Sequence, residues 1–348
     1  MAKRKKKTNS KQSATQKQIS STKWVLLAIA ILAVVVGLVI GAFILRDRVG
    51  DDPTATTGSQ YQGISPEVDD SDATTMRIVK AGTAYLTKDT AAGTVFSFRR
   101  GDKVEVVELD KDWATIAVEG RGYYVPRNMV RGLDEHIIVI DAGHQLREDK
   151  GKEAIGPGGA ETEQRMDTGN VGVTTGQPEY EVTLNIALKL REELQKRGYT
   201  VYMTRSSNDN TSISYKERAQ VANNLCADAY LTLHNGYSED PEVRGLSAVC
   251  QTEKSSYIAD LYTENKELCN ALLTAMVHAT GSKRLGLQET DKLSGINWCS
   301  TPMAMLELGY LSNENDDRLL TAEPYLEKLV AGIADGLDRY FTEEDDDK

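Results

Sequence analysis

Beyond Leu133 the chain alternates short runs rich in β-branched residues with longer segments of helical period. "HIIVIDAG" reads as a buried strand. "PEYEVTLNIALKLREELQKRG" follows as a helix, because Val182, Ile186, Leu190 and Leu194 recur at i+4 and Gly198 supplies a stop. "YTVYMTR" is the next strand. Ser214 and Glu217 form a capping-box pair that opens "YKERAQVANNL", and "AYLTLHN" is a further strand. A long helix around "ENKELCNALLTAMVHATG", a strand in "PMAMLELG" and an amphipathic helix "PYLEKLVAGIADGLDRYF" complete the series. This alternation implies an α/β layer fold, a largely parallel sheet flanked by helices, over residues 133–342. No internal repeat is visible, and residues 343–348 read as an acidic tail.

Three of these strands end alike. His144 lies just past "IIVID", His234 just past "YLTL" and Glu307 at the end of "MAML". In open α/β sheets the crevice outside the carboxyl ends of the strands is where ligands bind, so polar groups distant in sequence converge there. Glu179 and Glu181 both precede the apolar part of the first helix. Glu179 shares a face with Val182 and Ile186 and should point inward, with Glu181 as its rival. Two imidazoles and a carboxylate with an open fourth position make a catalytic zinc set, while a second carboxylate, not bound to metal, can take and return protons. A strand-end histidine can also simply cap a sheet. His136 starts its strand, at the wrong end for this site, and His278 lies in a helix without a suitable acidic partner; both read as structural or exposed.

The N-terminal part has a different organisation. Residues 1–23 carry eight Lys or Arg and no acid, so a net charge of −11 leaves −19 for the rest. From Trp24 to Leu45 no residue is charged. At 1.5 Å per residue that run spans about 33 Å, enough for a membrane helix, and it is longer than the apolar part of a secretory signal. The basic flank predicts a single-pass cell-membrane protein with a cytoplasmic N-terminus and everything after Arg46 outside. Residues 46–74, rich in Gly, Pro, Ser, Thr and Asp, read as a linker. Residues 75–132 read as short β segments with Gly-rich breaks, suited to a small barrel.

The acidic exterior argues against nucleic acid as a partner, because phosphate binding relies on clustered Lys and Arg. Cys226, Cys250, Cys269 and Cys299 include no Cys-x-x-Cys spacing, so a thiolate metal site is disfavoured. Disulfides are allowed outside the cell; buried free thiols are the favoured reading.

"IIVIDAGH", "PEYEVTLNIALKL", "GYTVYMTRSSND", "KERAQVANNLCADAYLTLHNG" and "MLELGYLSNENDDRLL" together resemble, in order and spacing, the zinc-dependent N-acetylmuramoyl-L-alanine amidases of the third amidase family. The resemblance runs from His136 to about Phe341. It implies zinc ligands at His144, Glu179 and His234 and a catalytic glutamate at Glu307. It also implies a peptidoglycan substrate, cut between the lactyl group of N-acetylmuramic acid and L-alanine. Gln145 and Asn235 stand where many relatives have Gly and Ala. The Gly-rich stretch from Gln145 to Gln177 is long for a connection, and is either a substrate-binding flap or a flexible insertion. Asp141 reads as an acid that orients the site or shapes the turn. Residues 75–132, with Trp113, Gly120, Gly122 and Tyr123 to Val125, resemble bacterial Src-homology-3-like domains, which implies a wall or protein partner or a spacer. The alternatives are a zinc peptidase trimming stem peptides and a catalytically silent wall receptor. A glycosidase is disfavoured because no closely spaced acid pair stands out.

Overall fold

The computed structural model describes residues 65–346, in two compact units. Of the described residues, the smaller unit holds Ser65, Pro66 and Thr83–Ser97; the larger holds Glu67–Gly82 and everything from Phe98 onward. Fifteen strands are described: β1 (Thr74–Ile78), β2 (Gly82–Tyr85), β3 (Thr94–Phe98), β4 (Lys103–Leu109), β5 (Trp113–Val118), β6 (Arg121–Pro126), β7 (Val130–Gly132), β8 (Ile137–Ala142), β9 (Asp149–Ala154), β10 (Thr162–Met166), β11 (Thr200–Met203), β12 (Ala229–Gly236), β13 (Leu246–Cys250), β14 (Arg284–Glu289) and β15 (Met303–Tyr310). The helices are α1 (Glu179–Lys196), α2 (Tyr215–Leu225), α3 (Tyr262–Thr280), α4 (Ser294–Asn297), α5 (Glu314–Leu319) and α6 (Glu323–Asp346). Helix α6 thus continues through most of the stretch expected as an acidic tail.

In the larger unit, β6, β5, β4, β1 and β7 lie in that order as an antiparallel sheet. Val104 and Val106 face inward on β4 while Lys103 and Glu105 face water, which is the alternation read from "KVEV". The second sheet has the order β11-β8-β12-β15-β13-β14. It is mixed rather than wholly parallel, because β13 runs antiparallel to β15 while the other pairings are parallel.

"IIVI" can be apolar without a break because both faces of β8 are covered. Ile138 and Ile140 pack with Leu190 and Leu194 of α1, Leu272 of α3 and Ile333 of α6. Val139 points the other way, into a cluster with Tyr230, Met303, Ala219 and Ala222 of α2 and Ile296 of α4. Each such fully buried aliphatic side chain stabilises the fold by roughly 1.5–3 kcal/mol. Gly332 and Gly336 let α6 lie directly on α3, since a Cβ at either would come within 2.9 Å of Met276 Cα or 2.7 Å of Leu272 Cα.

The expected helix signals are present. Gly198 has φ +93°, a conformation L side chains rarely adopt, and terminates the chain's first long amphipathic segment. Ser214 Oγ accepts from Glu217 N, and Glu217 Oε2 accepts from Ser214 N at 2.8 Å. Ser214→Ala should lower stability by about 1 kcal/mol, measured as a shift in denaturant midpoint at constant slope.

Asp228, fully buried just before β12, ties the two sheets of the larger unit together. It accepts from Arg77 of β1 at 2.6 Å, from Arg131 of β7, and from the backbone N of Ile137 at 2.8 Å. His136 stacks on Phe341 at 3.9 Å and meets Arg77 Nη2 through Nδ1, so it is structural, and His278 is exposed on α3. All four cysteines are buried free thiols.

One expectation is corrected. Among the described residues no helix is long and apolar enough to cross a membrane. The long helices α3 and α6 are amphipathic, with charged residues such as Glu267, Glu327 and Lys328 on their exposed sides. The single-pass placement in a cell membrane is therefore not supported. The basic segment 1–23, the apolar run 24–45 and the linker up to residue 64 lie outside the described residues.

Candidate active site

Strand register brings the chosen residues together. His234 on β12 lies beside Glu307 on β15, and Leu233 lies beside Ala142 at the end of β8. His144 follows two residues past β8, and α1 starts at Glu179, aimed at the same edge. Glu179 is 1% exposed, while Glu181 is on the solvent side of the helix. Of the two glutamates, only Glu179 is buried at this edge.

His144 Nε2 lies 3.1 Å from His234 Nδ1 and 3.2 Å from Glu179 Oε1, and His234 Nδ1 lies 3.4 Å from the same oxygen. Ligands about 2.0–2.1 Å from a tetrahedral ion are about 3.3–3.4 Å apart, so this triangle has the dimensions of a metal site. Two imidazole nitrogens and a carboxylate are also the donor set that suits zinc. Small residues make room for it. A Cβ on Gly143 would lie 2.4 Å from Leu233 O and 2.6 Å from His234 Cε1, and one on Gly169 would lie 2.6 Å from Glu179 Oε2.

The His144 ring and the Glu179 carboxylate are held by further partners, of which Asp167 and Asn170 carry no signal in the sequence. Asp167, directly after β10 in the Gly-rich insertion, bonds His144 Nδ1. That leaves Nε2 free to face the triangle. Asn170 donates to Glu179 Oε2 from its backbone at 3.0 Å, and the backbone N of Asn235 donates to Oε1 at 2.8 Å.

Behind the site sits a guanidinium clamp. His144 has φ +59°, which is strained for a residue with a side chain. Arg218, 0% exposed, holds that turn from below: it donates to Asp141 Oδ1 and Ala142 O at 2.7 Å, and to His144 O and Gln145 Oε1 at 2.9 Å. Arg205 adds bonds to Ala142 O at 2.8 Å and Gly143 O at 3.0 Å. Asp141 is buried and takes no place in the triangle; it also accepts from the hydroxyls of Thr204 and Thr232. Burial alone would raise its pKa, but Arg218 and these hydroxyls hold it below the usual carboxylate range. Arg218 was legible as an anomaly, a charge on the same helical face as Ala222. Asp167 carried no comparable signal.

The insertion between His144 and α1 contains the β9–β10 hairpin, docked on the rest of the fold. Glu163 Oε1 accepts from Ser294 N at 2.6 Å, and Trp298 Nε1 donates to Ala154 O at 2.8 Å. Farther along, buried Asp317 accepts from the backbone of Thr174 and Thr175 at 2.7 and 2.8 Å, which steadies the approach to Glu179.

Charge in the site is strongly coupled. Burial would push the His144 imidazole down, but hydrogen bonds to Asp167 and Glu179 outweigh it and raise the pKa to about 9. Burial would raise Glu179, yet the two histidines hold it far below the usual range. Glu307 is pushed up to about 8, first by burial and then by the Glu179 charge, and its Oε2 has no hydrogen-bond partner among the described residues. A carboxyl of raised pKa thus stands beside a metal-sized triangle, a combination that can support hydrolytic chemistry.

The chain is similar to several known proteins. The chain is 30% identical over 166 residues to a probable cell wall amidase, LytH, of Staphylococcus aureus, a match covering 47% of this chain and 50% of that protein. The chain thus spans about half the length of the curated relatives it matches. The fold is that of the N-acetylmuramyl-L-alanine amidase Ami1 of Mycobacterium smegmatis (21% identity, TM-score 0.55, covering 60% of this chain and 97% of that one). It is shared with apo Ami1 of Mycobacterium abscessus (22% identity, TM-score 0.54, covering 59% and 98%). Residues 138–339, more than half the chain and including every residue of the triangle and Glu307, match the family model described as N-acetylmuramoyl-L-alanine amidase, and the chain belongs to that family.

Proposed function

We propose that the protein is a zinc-dependent peptidoglycan amidase that cleaves the amide between the lactyl group of N-acetylmuramic acid and L-alanine. The observation that carries this reading is the triangle of His144, Glu179 and His234, 3.1–3.4 Å on a side, with Glu307 in register beside it. His144 Nε2, His234 Nδ1 and a Glu179 oxygen would hold the ion. Zinc bound there would supply Lewis-acid chemistry, polarising the scissile carbonyl and lowering the pKa of the attacking water and of Glu307.

The remaining chemistry belongs to the chain. Glu307, half-buried at the end of β15, accepts the proton of the attacking water. It then delivers that proton to the departing L-alanine nitrogen, which is a poor leaving group unless protonated. Asp167 holds the proton on His144 Nδ1, and Asn170 and Asn235 keep the Glu179 carboxylate aimed at the crevice. Digestion of purified peptidoglycan tests the reading: a chelator should abolish release of stem peptides and zinc should restore it. Full activity after exhaustive chelation would sink the assignment of the triangle.

The pH dependence of metal binding has a defined sign. The ligand form of His144 is unprotonated at Nε2, yet the metal-free imidazole holds its proton up to about pH 9. Zinc affinity should therefore rise about tenfold per pH unit from neutrality and level off near that value, with a proton released on binding. Calorimetry in buffers of different ionisation enthalpy measures that proton. In the metal-free protein the same raised pKa contributes stability that is complete below the unfolded imidazole value and is lost as pH rises through about 9.

A further inference from the structure

A cavity of about 580 Å³ lies where the chain enters β13 and β14, between the end of α3 and the start of α6. Arg244, Lys283 and Lys328 line it, with the hydroxyls of Ser282 and Tyr325, 3.0 Å apart, among its walls. Asp316 is the single carboxylate in its lining, and its Oδ2 is already engaged by the backbone N–H groups of Gly245 at 2.8 Å and Tyr310 at 3.0 Å. The acids of the neighbouring loop, Glu239, Asp240 and Glu242, do not line it. In a chain of net charge −11, three cationic residues thus line one concave, hydroxyl-bearing surface, with Arg244 close enough to Asp316 to stabilise its charge.

Its position is set by strand register. Ser247 on β13 pairs with Glu307, and Gly245 in the cavity wall lies two residues farther along. That is about 7 Å along the strand and one strand across, so the wall lies about 8–9 Å from the Glu307 Cα. Tyr325 and Lys328 of the wall belong to α6, on the face of the sheet opposite Met303 and Met305, so a polymer with its scissile amide at Glu307 must cross the strand edge at Gly245 to enter the cavity.

We propose that this cavity is an oxyanion-binding subsite that takes a phosphate or carboxylate group carried on the wall polymer, an inference that rests on the peptidoglycan reading above. A net-negative enzyme is repelled by a polymer that bears anionic groups, and a local cluster of cations placed beside the cleavage point reverses that interaction where it counts. Arginine and lysine with adjacent hydroxyls supply the donors such a group accepts from.

The test compares wild type with the Arg244→Gln, Lys283→Gln, Lys328→Gln triple variant, all three positions being exposed. On insoluble walls the variant should show KM raised about five- to tenfold with kcat within twofold, and a flatter dependence on salt. Inorganic phosphate should shift the backbone amide signals of Gly281, Ser282 and Tyr325 in wild type and not in the variant. A penalty that persists on walls stripped of phosphate polymer by hydrofluoric acid assigns the ligand as a stem-peptide carboxylate; one that vanishes assigns it as phosphate. Unchanged KM together with no phosphate-dependent shifts overturns the proposal. If wild type frees no L-alanine amino termini from any wall, the peptidoglycan reading fails, while the phosphate titration still decides whether the cavity binds an oxyanion.

Discussion

Replacing Glu307 with Gln is expected to lower turnover of peptidoglycan about 10²–10⁴-fold while leaving zinc affinity within a few fold, because in the proposed mechanism the side chain moves protons rather than holding the ion. The substitution preserves shape and removes the base. Burial and the Glu179 charge raise the Glu307 pKa to about 8 without metal, so the pocket already tolerates an uncharged group there. The Gln variant should therefore be at least as stable as wild type in the metal-free state, since it removes a carboxylate whose ionised form is disfavoured. Sign follows from linkage: a buried acid of raised pKa destabilises the fold as pH rises through about 8, and the variant should lose that dependence. Single-turnover assays and thermal melts read the two effects separately. A variant that keeps more than a tenth of wild-type turnover would remove Glu307 from the chemistry.

The second large effect falls on a residue that touches neither metal nor substrate. Arg218→Met should destabilise the protein by about 3–5 kcal/mol, because it strands the buried Asp141 carboxylate and takes donors from the carbonyls of Ala142 and His144. It should also weaken zinc binding by about 10–100-fold, since the strained His144 turn loses its support. Lysine cannot restore five acceptors in several directions, so Arg218→Lys should recover only part of the loss. Adding Asp141→Asn to Arg218→Met should be strongly non-additive, returning some of the stability. The gap between wild type and Arg218→Met should narrow in acid. Asp141 has a lowered folded pKa, so its contribution is present above the unfolded value of 3.8 and is lost as pH falls through the folded one. A loss of less than 1 kcal/mol with normal zinc affinity would show that the clamp is dispensable.

What could be read from residues alone was whatever leaves a periodic trace. "IIVID", the i+4 series from Val182 to Leu194 and the Ser214–Glu217 box are local signals, and each element stands where it was expected. The strand-end positions of His144, His234 and Glu307 were legible because a parallel sheet delivers its strand ends to one edge. The antiparallel pairing of β13 with β15 was not, since strand direction depends on how the chain returns and leaves no mark in a five-residue apolar run. Asp167 and Asn170 escaped for a related reason: they lie in a Gly-rich connection whose path is set by contacts with α2, α4 and α5. The Trp24–Leu45 run shows the opposite risk, where a strong local hydropathy signal led to a membrane placement that the helices among the described residues do not support.

The measurement that tests the central claim most directly is the identity of the new ends released from purified peptidoglycan by the zinc-loaded protein. The account predicts stem peptides with free L-alanine amino termini, glycan strands still intact and no new reducing sugar ends. Peptides cut within the stem while their bond to N-acetylmuramic acid survives would contradict it, and would make His144, Glu179, His234 and Glu307 the site of a peptidase instead.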